Sequence, residues 1–398
     1  MLSVEDARAR ILEGIGPVAV EIVSIADAWG RVLAEPVVAR VAQPPRDVSA
    51  MDGYALRTGD GPVLTVVGHA PAGHPWSGRV ERGQAVRLFT GSVVPDGADC
   101  VVVQEDTEID GATVSLREAG RLGRHIRRRG SDFDAGATLV AAGVRLGARA
   151  VGLIGAANVP WVAVHRRPRV AILSTGDEIA WPGDPIPDGG VVSSNPWALA
   201  GLVRGAGGEP TVLPIAVDDP AALARALPAA VGFDLLLTSG GASVGDHDLV
   251  RAALLQAGMT LDFWSIAMRP GKPVMSGRFG RVPVLGLPGN PVSSVVTALL
   301  FARPLLARLG GLPDTPPKWE VARLAAALGP NDQRADHLRC TLATGTDGVT
   351  HATPFPEQSS GLNRRLADAD ALLLRPPYAV AAAIGDAVPI LRLGTDGV

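Results

Sequence analysis

The chain has 398 residues, of which 47% are hydrophobic and 19% are charged, and its net charge is −3. This composition predicts a folded protein with more than one core, and it excludes a disordered chain or one whose overall charge attracts nucleic acid or an acidic membrane. Cys100 and Cys340 lack metal-ligand spacing, so neither a disulfide framework nor structural zinc is expected. The N-terminus does not resemble a signal peptide, and we expect no apolar run to approach the length needed to span a bilayer. We therefore expect a soluble, cytoplasmic protein.

The first part of the chain predicts β structure between residues 45 and 140. Short runs of β-branched residues alternate there with Gly and Pro, and Asp110-Gly111 separates two of these runs. An Asp-Gly pair between such runs is typical of a tight hairpin. We interpret 45–140 as a β domain inserted into a linking domain that comprises 17–44 and 141–165.

The rest of the chain predicts an α/β domain followed by a smaller β domain. Strand and helix patterns alternate as far as residue 312, which indicates βαβ units and a mainly parallel sheet. We assign 1–16 and 166–312 to this domain, and 313–398 to a C-terminal β domain with a turn at Asp347-Gly348. The predicted fold class is therefore multidomain α/β plus β: a central three-layer α/β domain, an inserted N-terminal β domain and a small C-terminal β-barrel-like domain.

Polar residues follow four predicted strands of the α/β domain, and their loops should emerge on one side of the sheet, where parallel sheets bind ligands. Small residues let backbone amides approach an anion, and carboxylates suit Mg²⁺. The candidate residues are, in chain order, Ser174, Thr175, Gly176, Asp177 and Glu178, then Asp218, then Ser239, Gly240, Gly241, Ser243, Gly245, Asp246 and Asp248, and finally Pro288, Gly289, Asn290, Pro291, Ser293 and Ser294.

Two helix starts strengthen the prediction of an anion site. Asn290 is a favoured N-cap, and Pro291 at the first helical position loses no hydrogen bond, so free N–H groups should point at one spot. The pair Ser194 and Asn195 begins a second helix in the same way. Lys272, with Arg269 beside it, adds positive charge. We interpret the four loops as a site for a phosphate-type anion and a divalent metal.

Each of these loops, taken alone, could be an ordinary turn with no binding role. The same is true of the turns that hold Asp52 and Thr90 in the β domain. The chain has neither a GxGxxG motif after a strand nor a P-loop, so a dinucleotide or P-loop site is not supported.

Seven segments of the chain resemble, in the same order, the motifs of the molybdopterin molybdenumtransferases. They are "SAMDGYA", "LFTGS", "RRRGSDFDAG", "ILSTGDE", "TSGGASVGDHD", "RPGKP" and "LPGNPVSS". These are the MoeA-type proteins of molybdenum cofactor biosynthesis, which are related to the C-terminal part of gephyrin. The resemblance extends over residues 1–398.

This resemblance implies an elongated homodimer whose site lies between the α/β domain of one subunit and the "MDGYA" domain of the other. The implied reaction uses adenylylated molybdopterin, molybdate and Mg²⁺, and it releases AMP as molybdenum is inserted; the upstream adenylyltransferase is an expected partner. The implied catalytic residues are Asp52, Thr90, Glu178, Asp218, Asp246 and Lys272. The implied metal ligands are Glu178, Asp246 and Asp248, and the implied substrate contacts include Arg269, Arg339 and Ser359.

Two other functions remain open at this point. The adenylyltransferase one step earlier has similar loops, but the stand-alone enzyme lacks the "MDGYA" block and the C-terminal β domain. A non-catalytic scaffold of the gephyrin kind would not need the acidic loop residues. Arg269 stands where the family often has Lys, and the two are not equivalent as ligands.

Overall fold

The computed structural model describes residues 1–217, 219, 221, 230–240, 249–256, 258–313 and 316–394. The chain divides into two compact units. One comprises Met1–Glu21, Gly30–Ala34 and Val164–Val398, and the other comprises Ile22–Trp29 and Glu35–Ala163. The four-domain boundaries given above stay a prediction.

The helices in the described ranges are α1 (Val4–Leu12), α2 (Ala148–Ala156), α3 (Asn195–Gly205), α4 (Leu249–Gln256), α5 (Pro291–Thr297), α6 (Arg303–Leu309) and α7 (Asn363–Ala367). Short 3₁₀ turns occupy Ile25–Asp27 and Gln104–Asp106, and a π-helical segment, Ala298–Ala302, joins α5 to α6.

The strands of the first 165 residues are β1 (Val20–Ser24), β2 (Val32–Leu33), β3 (Val37–Val38), β4 (Val48–Ser49), β5 (Gly53–Leu56), β6 (Val63–Ala70), β7 (Gln84–Leu88), β8 (Cys100–Val103), β9 (Thr107–Asp110), β10 (Thr113–Leu116), β11 (Ile126–Arg127), β12 (Thr138–Val140) and β13 (Trp161–His165). The α/β region contains β14 (Arg169–Ser174), β15 (Ile179–Ala180), β16 (Val191–Val192), β17 (Glu209–Val212), β18 (Leu235–Ser239), β19 (Met259–Phe263), β20 (Met268–Arg269), β21 (Met275–Phe279) and β22 (Val282–Leu287). The C-terminal region contains β23 (Glu320–Leu324), β24 (Ala335–Thr344), β25 (Thr350–Pro354), β26 (Ala371–Arg375) and β27 (Ala387–Arg392).

The unit that contains residues 35–163 is built on a six-stranded sheet with the order β8-β5-β7-β6-β10-β9. The prediction of a hairpin at Asp110-Gly111 is confirmed, because β9 and β10 pair antiparallel around this turn. Only glycine fits at Gly53, where an added Cβ would lie 2.0 Å from the carbonyl oxygen of Val102. This close approach brings β5 against β8 directly after the turn that holds Asp52.

The α/β region is built on a sheet with the order β17-β14-β18-β22-β21-β19. The first four strands pair in parallel, and of the six strands only β21 runs in the opposite direction, so the prediction of a mainly parallel sheet is confirmed. Alternate side chains enter two cores, as the two-residue period of a strand requires. Ile172 and Leu237 pack with α1, α3, α5 and α6 on one face, whereas Leu173 and Leu236 pack with Leu254 of α4 on the other, which gives three layers.

The helical stretch Pro291–Leu309 is long and apolar enough to cross a membrane by length and composition alone. The prediction that no run reaches that length was therefore wrong. Of its most apolar window, 78% is buried inside the protein, and the stretch contributes Val292, Val296 and Phe301 to the core on one face of the sheet. Burial against the sheet is the reason for its apolar composition.

The C-terminal region forms a closed barrel. The strands pair in the order β24-β25-β23-β27-β26, and β26 pairs with β24 to complete the ring. The predicted Asp347-Gly348 turn joins β24 to β25. Strand β20 of the α/β region adds to β24, with Arg269 opposite Asp336, so one strand pairing connects the barrel to the α/β region.

Local predictions elsewhere have mixed outcomes. Ser3 followed by Asp6 is the sequence pattern of a helix start, and Ser3 caps α1, since its Oγ accepts a hydrogen bond from the amide of Asp6 at 3.0 Å. The run "TVLPIAV" (211–217) predicts a strand, but the strand ends at Val212; beyond it the chain is irregular, and Pro214 has no N–H to donate to a ladder. The run "PAALARALPAAV" (220–231) predicts a helix, most of which lies outside the described residues.

Candidate active site

The carboxyl ends of the three central parallel strands lie side by side. Ser174 of β14 is in register with Ser239 of β18, and Ser239 is in register with Leu287 of β22. Beyond β14, Thr175 forms an isolated bridge to Ala216. The loops that follow these strands therefore leave the same edge of the sheet, as the sequence predicted.

Buried hydroxyl groups cluster at this edge and at the start of α5. Ser174, Thr175, Thr238 and Ser294 are all buried, and in the described part of the chain none of their hydroxyl oxygens has a hydrogen-bond partner. An unpaired buried hydroxyl costs free energy, so such a group in a native protein is a candidate for ligand binding. Thr238 was not predicted; it immediately precedes Ser239 at the strand end, which is the signal that could have found it.

Asn195 joins two of the loops. Its Nδ2 donates to the Oγ of Ser239 at 2.8 Å and to the carbonyl oxygen of Gly289 at 2.7 Å. The sequence predicted Asn195 as part of a helix start, and it is the first residue of α3 after Ser194 at the N-cap. Its side chain caps no amide of α3, and it instead fixes the distance between the β18 and β22 loops.

Two glycines in these loops allow close packing that a side chain would prevent. Gly240 has φ +101°, and an added Cβ would lie 2.4 Å from the carbonyl oxygen of Thr175. Gly176 has φ +141°, and an added Cβ would lie 2.5 Å from Oε2 of Glu178. Both positions require glycine because of backbone conformation and space.

Three backbone amides expected to bind an anion already have partners. The amide of Thr175 donates to Ser239, that of Gly176 to Ala216, and that of Gly240 to Leu287. These amides hold the loops together, so side-chain hydroxyls are the groups at these positions that can reach a ligand.

The start of α5 differs from the prediction. Asn290 occupies the N-cap position, but its side chain caps no amide, and the amide of Val292 donates to the carbonyl oxygen of Ser360 at 3.1 Å. The expectation of a fully free set of N–H groups was therefore wrong. Pro288 is buried, Gly289 is exposed, and Pro291 begins the helix as expected. Ser293 is buried beside Ser294.

Arg269 is engaged with the barrel. Its guanidinium binds both carboxylate oxygens of Asp336, with an Nε–Oδ1 distance of 2.8 Å, and it also contacts Asp332 at 3.5 Å and Asn331 at 3.3 Å. The hydrogen bond with Asp336 is the main cause that raises the pKa of Arg269. Its charge is therefore already balanced, whereas the ammonium of Lys272 has no ion pair among the described residues.

We expect Asp336→Asn to lower the free energy of unfolding by about 1–2 kcal/mol, because Asp336 is buried and its partner is half exposed. Urea unfolding of the variant measures this change. Glu320→Gln provides a matched control, since Glu320 pairs with Arg392 at 2.7 Å with both side chains about half exposed, and it should cost under about 1 kcal/mol. Equal effects of the two variants would contradict the assignment.

Arg339 lies on the outer face of the barrel, because it pairs with Leu372, which packs in the core of the α/β region, and only 1% of it is exposed. Its Nε donates to Gln358 at 3.2 Å and its Nη1 to the carbonyl oxygen of Leu362 at 3.3 Å. Its Nη2 is buried without a partner among the described residues, and burial lowers the pKa of the group. Gln358 and Leu362 belong to the loop that also carries Ser360, whose carbonyl oxygen accepts a hydrogen bond from the amide of Val292 at the start of α5. This loop therefore connects Arg339 to that helix start. Ser359 of this loop is exposed.

The carboxylates of the predicted metal site are only partly described. Asp177 and Glu178 are exposed. Asp218, Gly241, Ser243, Gly245, Asp246 and Asp248 lie outside the described residues. Within the described ranges no group of three metal-binding side chains occurs. The donors present are carboxylate and hydroxyl oxygens, which fit a hard cation such as Mg²⁺.

Asp52 and Thr90 lie together in the β unit. Oδ1 of Asp52 accepts hydrogen bonds from the amide of Thr90 at 2.7 Å and from its hydroxyl at 2.8 Å. The hydrogen bond from the amide is the main cause that lowers the pKa of Asp52. The pair joins the turns before β5 and after β7, and it keeps the carboxylate ionised.

Three family models match successive parts of the chain. Residues 2–157 match the MoeA N-terminal region (domains I and II), residues 171–308 match a family described as "Probable molybdopterin binding domain", and residues 321–393 match the MoeA C-terminal region (domain IV).

Curated relatives and solved structures agree with these matches. A molybdopterin molybdenumtransferase of Nostoc sp. is 41% identical over 73% of this chain and 70% of its own length, and molybdopterin molybdenumtransferase 2 of Mycobacterium tuberculosis is 35% identical over 91% and 95%. The crystal structure of a molybdopterin biosynthesis MoeA protein from Pyrococcus horikosii superposes with a TM-score of 0.86 at 29% identity, covering 98% of this chain and 99% of that one. The chain belongs to the MoeA family, the molybdopterin molybdenumtransferases of molybdenum cofactor biosynthesis.

Proposed function

We propose that this enzyme inserts molybdenum from molybdate into adenylylated molybdopterin and releases AMP. The observation that carries the proposal is a set of buried hydroxyls at one edge of the sheet and at the start of α5, Ser174, Thr175 and Ser294, that have no hydrogen-bond partner among the described residues. These groups can donate to phosphate or molybdate oxygens, and burial strengthens such hydrogen bonds. Ser239, Asn195 and Gly240 hold the loops that carry them.

We infer that molybdate binds where the barrel meets the start of α5. Arg339 supplies a buried cation whose Nη2 has no partner within the described ranges, and Ser294 supplies a buried hydroxyl. Lys272 supplies a second cation at this place. Its position follows from its neighbours, because the strand before it pairs with the barrel and Gly271 packs on Thr297 of α5. Positive groups fixed before the substrate arrives stabilise an oxyanion without reorganisation. Ser359 extends this site at the surface, and Arg269 acts through Asp336 as a positioning residue.

We propose that Glu178, with Asp246 and Asp248, would hold Mg²⁺. When bound, this ion supplies positive charge to the phosphate oxygens of the link to AMP. Asp218 and Asp246 would orient the attacking oxygen, and Asn195 would keep the hydroxyl-bearing loops in position as AMP leaves. The role of each carboxylate in this set is a proposal.

We also propose a homodimer in which Asp52 and Thr90 complete the site of the partner subunit. The two hydrogen bonds to Asp52 preset an ionised carboxylate, as a group that handles a cation or a proton requires. We infer a cytoplasmic enzyme that receives its substrate from the upstream adenylyltransferase.

AMP release from adenylylated molybdopterin, with and without molybdate and Mg²⁺, tests this function. Release that needs both ions is the expected result. Synthesis of adenylylated molybdopterin from ATP without AMP release would identify an adenylyltransferase, although the matched N-terminal and C-terminal regions argue against that reading. A chain with neither activity would be a scaffold.

Ser294→Ala is expected to lower kcat/KM for AMP release about tenfold, because it removes a hydrogen bond to a charged oxygen. Its free energy of unfolding should stay within about 0.5 kcal/mol of wild type, since the hydroxyl has no hydrogen-bond partner in the part of the chain that the structure describes. Thr297→Val is the matched control on the same helix, because the Thr297 hydroxyl donates within the helix, at 2.7 Å to Ser293. Wild-type kcat/KM in Ser294→Ala would remove Ser294 from the site.

A further inference from the structure

We propose that Trp197 and Trp181 form a subsite for a fused heteroaromatic ring of the substrate. The inference rests on the proposed function, because adenylylated molybdopterin carries such a ring at each end, adenine at one and the pterin at the other. The hydroxyls at the sheet edge have the chemistry to hold oxyanions, and the site needs a separate apolar surface for a ring.

The two tryptophans form an aromatic pair whose geometry leaves ring surface available. Their centroids are 5.7 Å apart and the planes are inclined at 61°, an edge contact that fixes the orientation of both rings. Trp197 is nevertheless 52% exposed. A large ring held in one orientation at the surface can stack on a planar heterocycle at little entropic cost.

Backbone contacts place the pair next to the candidate active site. Trp181 follows Glu178 by three residues, and Trp197 follows Asn195 by two. The two segments are joined by the pairing of β15 with β16 and by a hydrogen bond from the amide of Ser193 to the carbonyl oxygen of Ala180 at 2.8 Å. Since each residue spans at most about 3.6 Å, the Cα atom of Trp197 lies within about 7 Å of that of Asn195, whose side chain binds Ser239 at the hydroxyl-lined edge.

The segment between the two tryptophans adds exposed apolar residues. Ile186, Val191 and Val192 are all exposed there, together with Asp184 and Asp188. Exposed apolar side chains beside a polar site are typical of a binding surface. Adjacent to an oxyanion site, the occupant that fits this surface is the flat ring attached to the phosphate.

The test compares Trp197→Ala and Trp197→Phe with Trp264→Ala. Trp264 is a matched control because it is 51% exposed in the same unit, where Arg251 lies over its ring. We expect Trp197→Ala to raise KM for AMP release about tenfold with little change in kcat. Trp197→Phe should recover most of that loss, and Trp264→Ala should match wild type. A wild-type KM in Trp197→Ala would overturn the inference.

A binding measurement separates the two ring sources and does not depend on turnover. AMP and neopterin are titrated separately against wild type, Trp197→Phe and Trp264→Phe, and quenching of tryptophan fluorescence is followed. Quenching by AMP that only Trp197→Phe loses assigns the pair to adenine, and the same result with neopterin assigns it to the pterin. Quenching by neither ligand overturns the subsite. A wild-type enzyme that releases no AMP would contradict the proposed function, while the titration would still decide the subsite.

Discussion

Arg339→Met is expected to lower kcat/KM for molybdate-dependent AMP release by about 100-fold or more, the usual loss when a preorganised charged or polar donor is removed. The guanidinium is buried, its Nη2 is unpartnered among the described residues, and burial lowers its pKa. These features indicate that the guanidinium of Arg339 is available to bind an anion. Met has a similar length but cannot make the hydrogen bonds to Gln358 and Leu362, so the free energy of unfolding should fall by about 1–2 kcal/mol.

Arg375→Met is the matched control. Arg375 is buried in the same barrel, and its Nη2 donates to the carbonyl oxygens of Gly329, at 2.9 Å, and Val380. We expect this variant to lose about 3 kcal/mol or more of unfolding free energy and to keep the wild-type KM for molybdate in its folded fraction. If the role of Arg339 were purely structural, Arg339→Met would behave like Arg375→Met, with a lower free energy of unfolding and a normal kcat/KM.

His337 should make the stability of the protein fall in acid. The imidazole is buried beside Trp319, its Nδ1 has no partner in the described part of the chain, and burial lowers its pKa from 6.5 to about 4. Below pH 6.5 the unfolded chain takes up a proton that the folded protein does not. Unfolding free energy is therefore lost as the pH falls from about 6.5 to 4, by up to about 3 kcal/mol, and this contribution is constant above that range.

Urea unfolding between pH 4 and 8 checks this expectation in wild type and in His337→Phe, which keeps an aromatic ring next to Trp319. Carboxylates titrate in both proteins, so the difference between the two curves isolates His337. The variant should lose less stability toward pH 4. Parallel curves over the whole range would show that His337 is protonated in the folded protein or is not buried.

Much of the fold follows from local sequence. Ser3 caps α1 because its hydroxyl needs only the amide three residues later, and Asp110-Gly111 forms a hairpin because the turn conformation is local. The alternation of strands and helices predicts the parallel sheet, and parallel pairing places the loop residues at one edge. The order of the motifs along the chain identified the family.

Other features depend on residues that are far apart in the chain. Asn195 reaches Gly289, 94 residues away, and Arg269 binds Asp336, 67 residues away. The local sequence around Asn195 indicates only a helix start, and that around Arg269 only a basic residue in a loop. Neither pattern identifies the distant partner, so these two contacts could not be predicted from the sequence.

The sequence by itself determined the strand-end loops, their polar composition and the family, because turn chemistry and strand periodicity act over a few residues. Only the tertiary structure decided which of the polar groups are available. Packing on the outer face of the barrel buries Arg339 and His337. The Ser360 carbonyl oxygen accepts a hydrogen bond from an amide of α5, and Asp336 neutralises Arg269. Burial and pairing are properties of the packed chain, and they determine which charges and hydroxyls remain for a ligand.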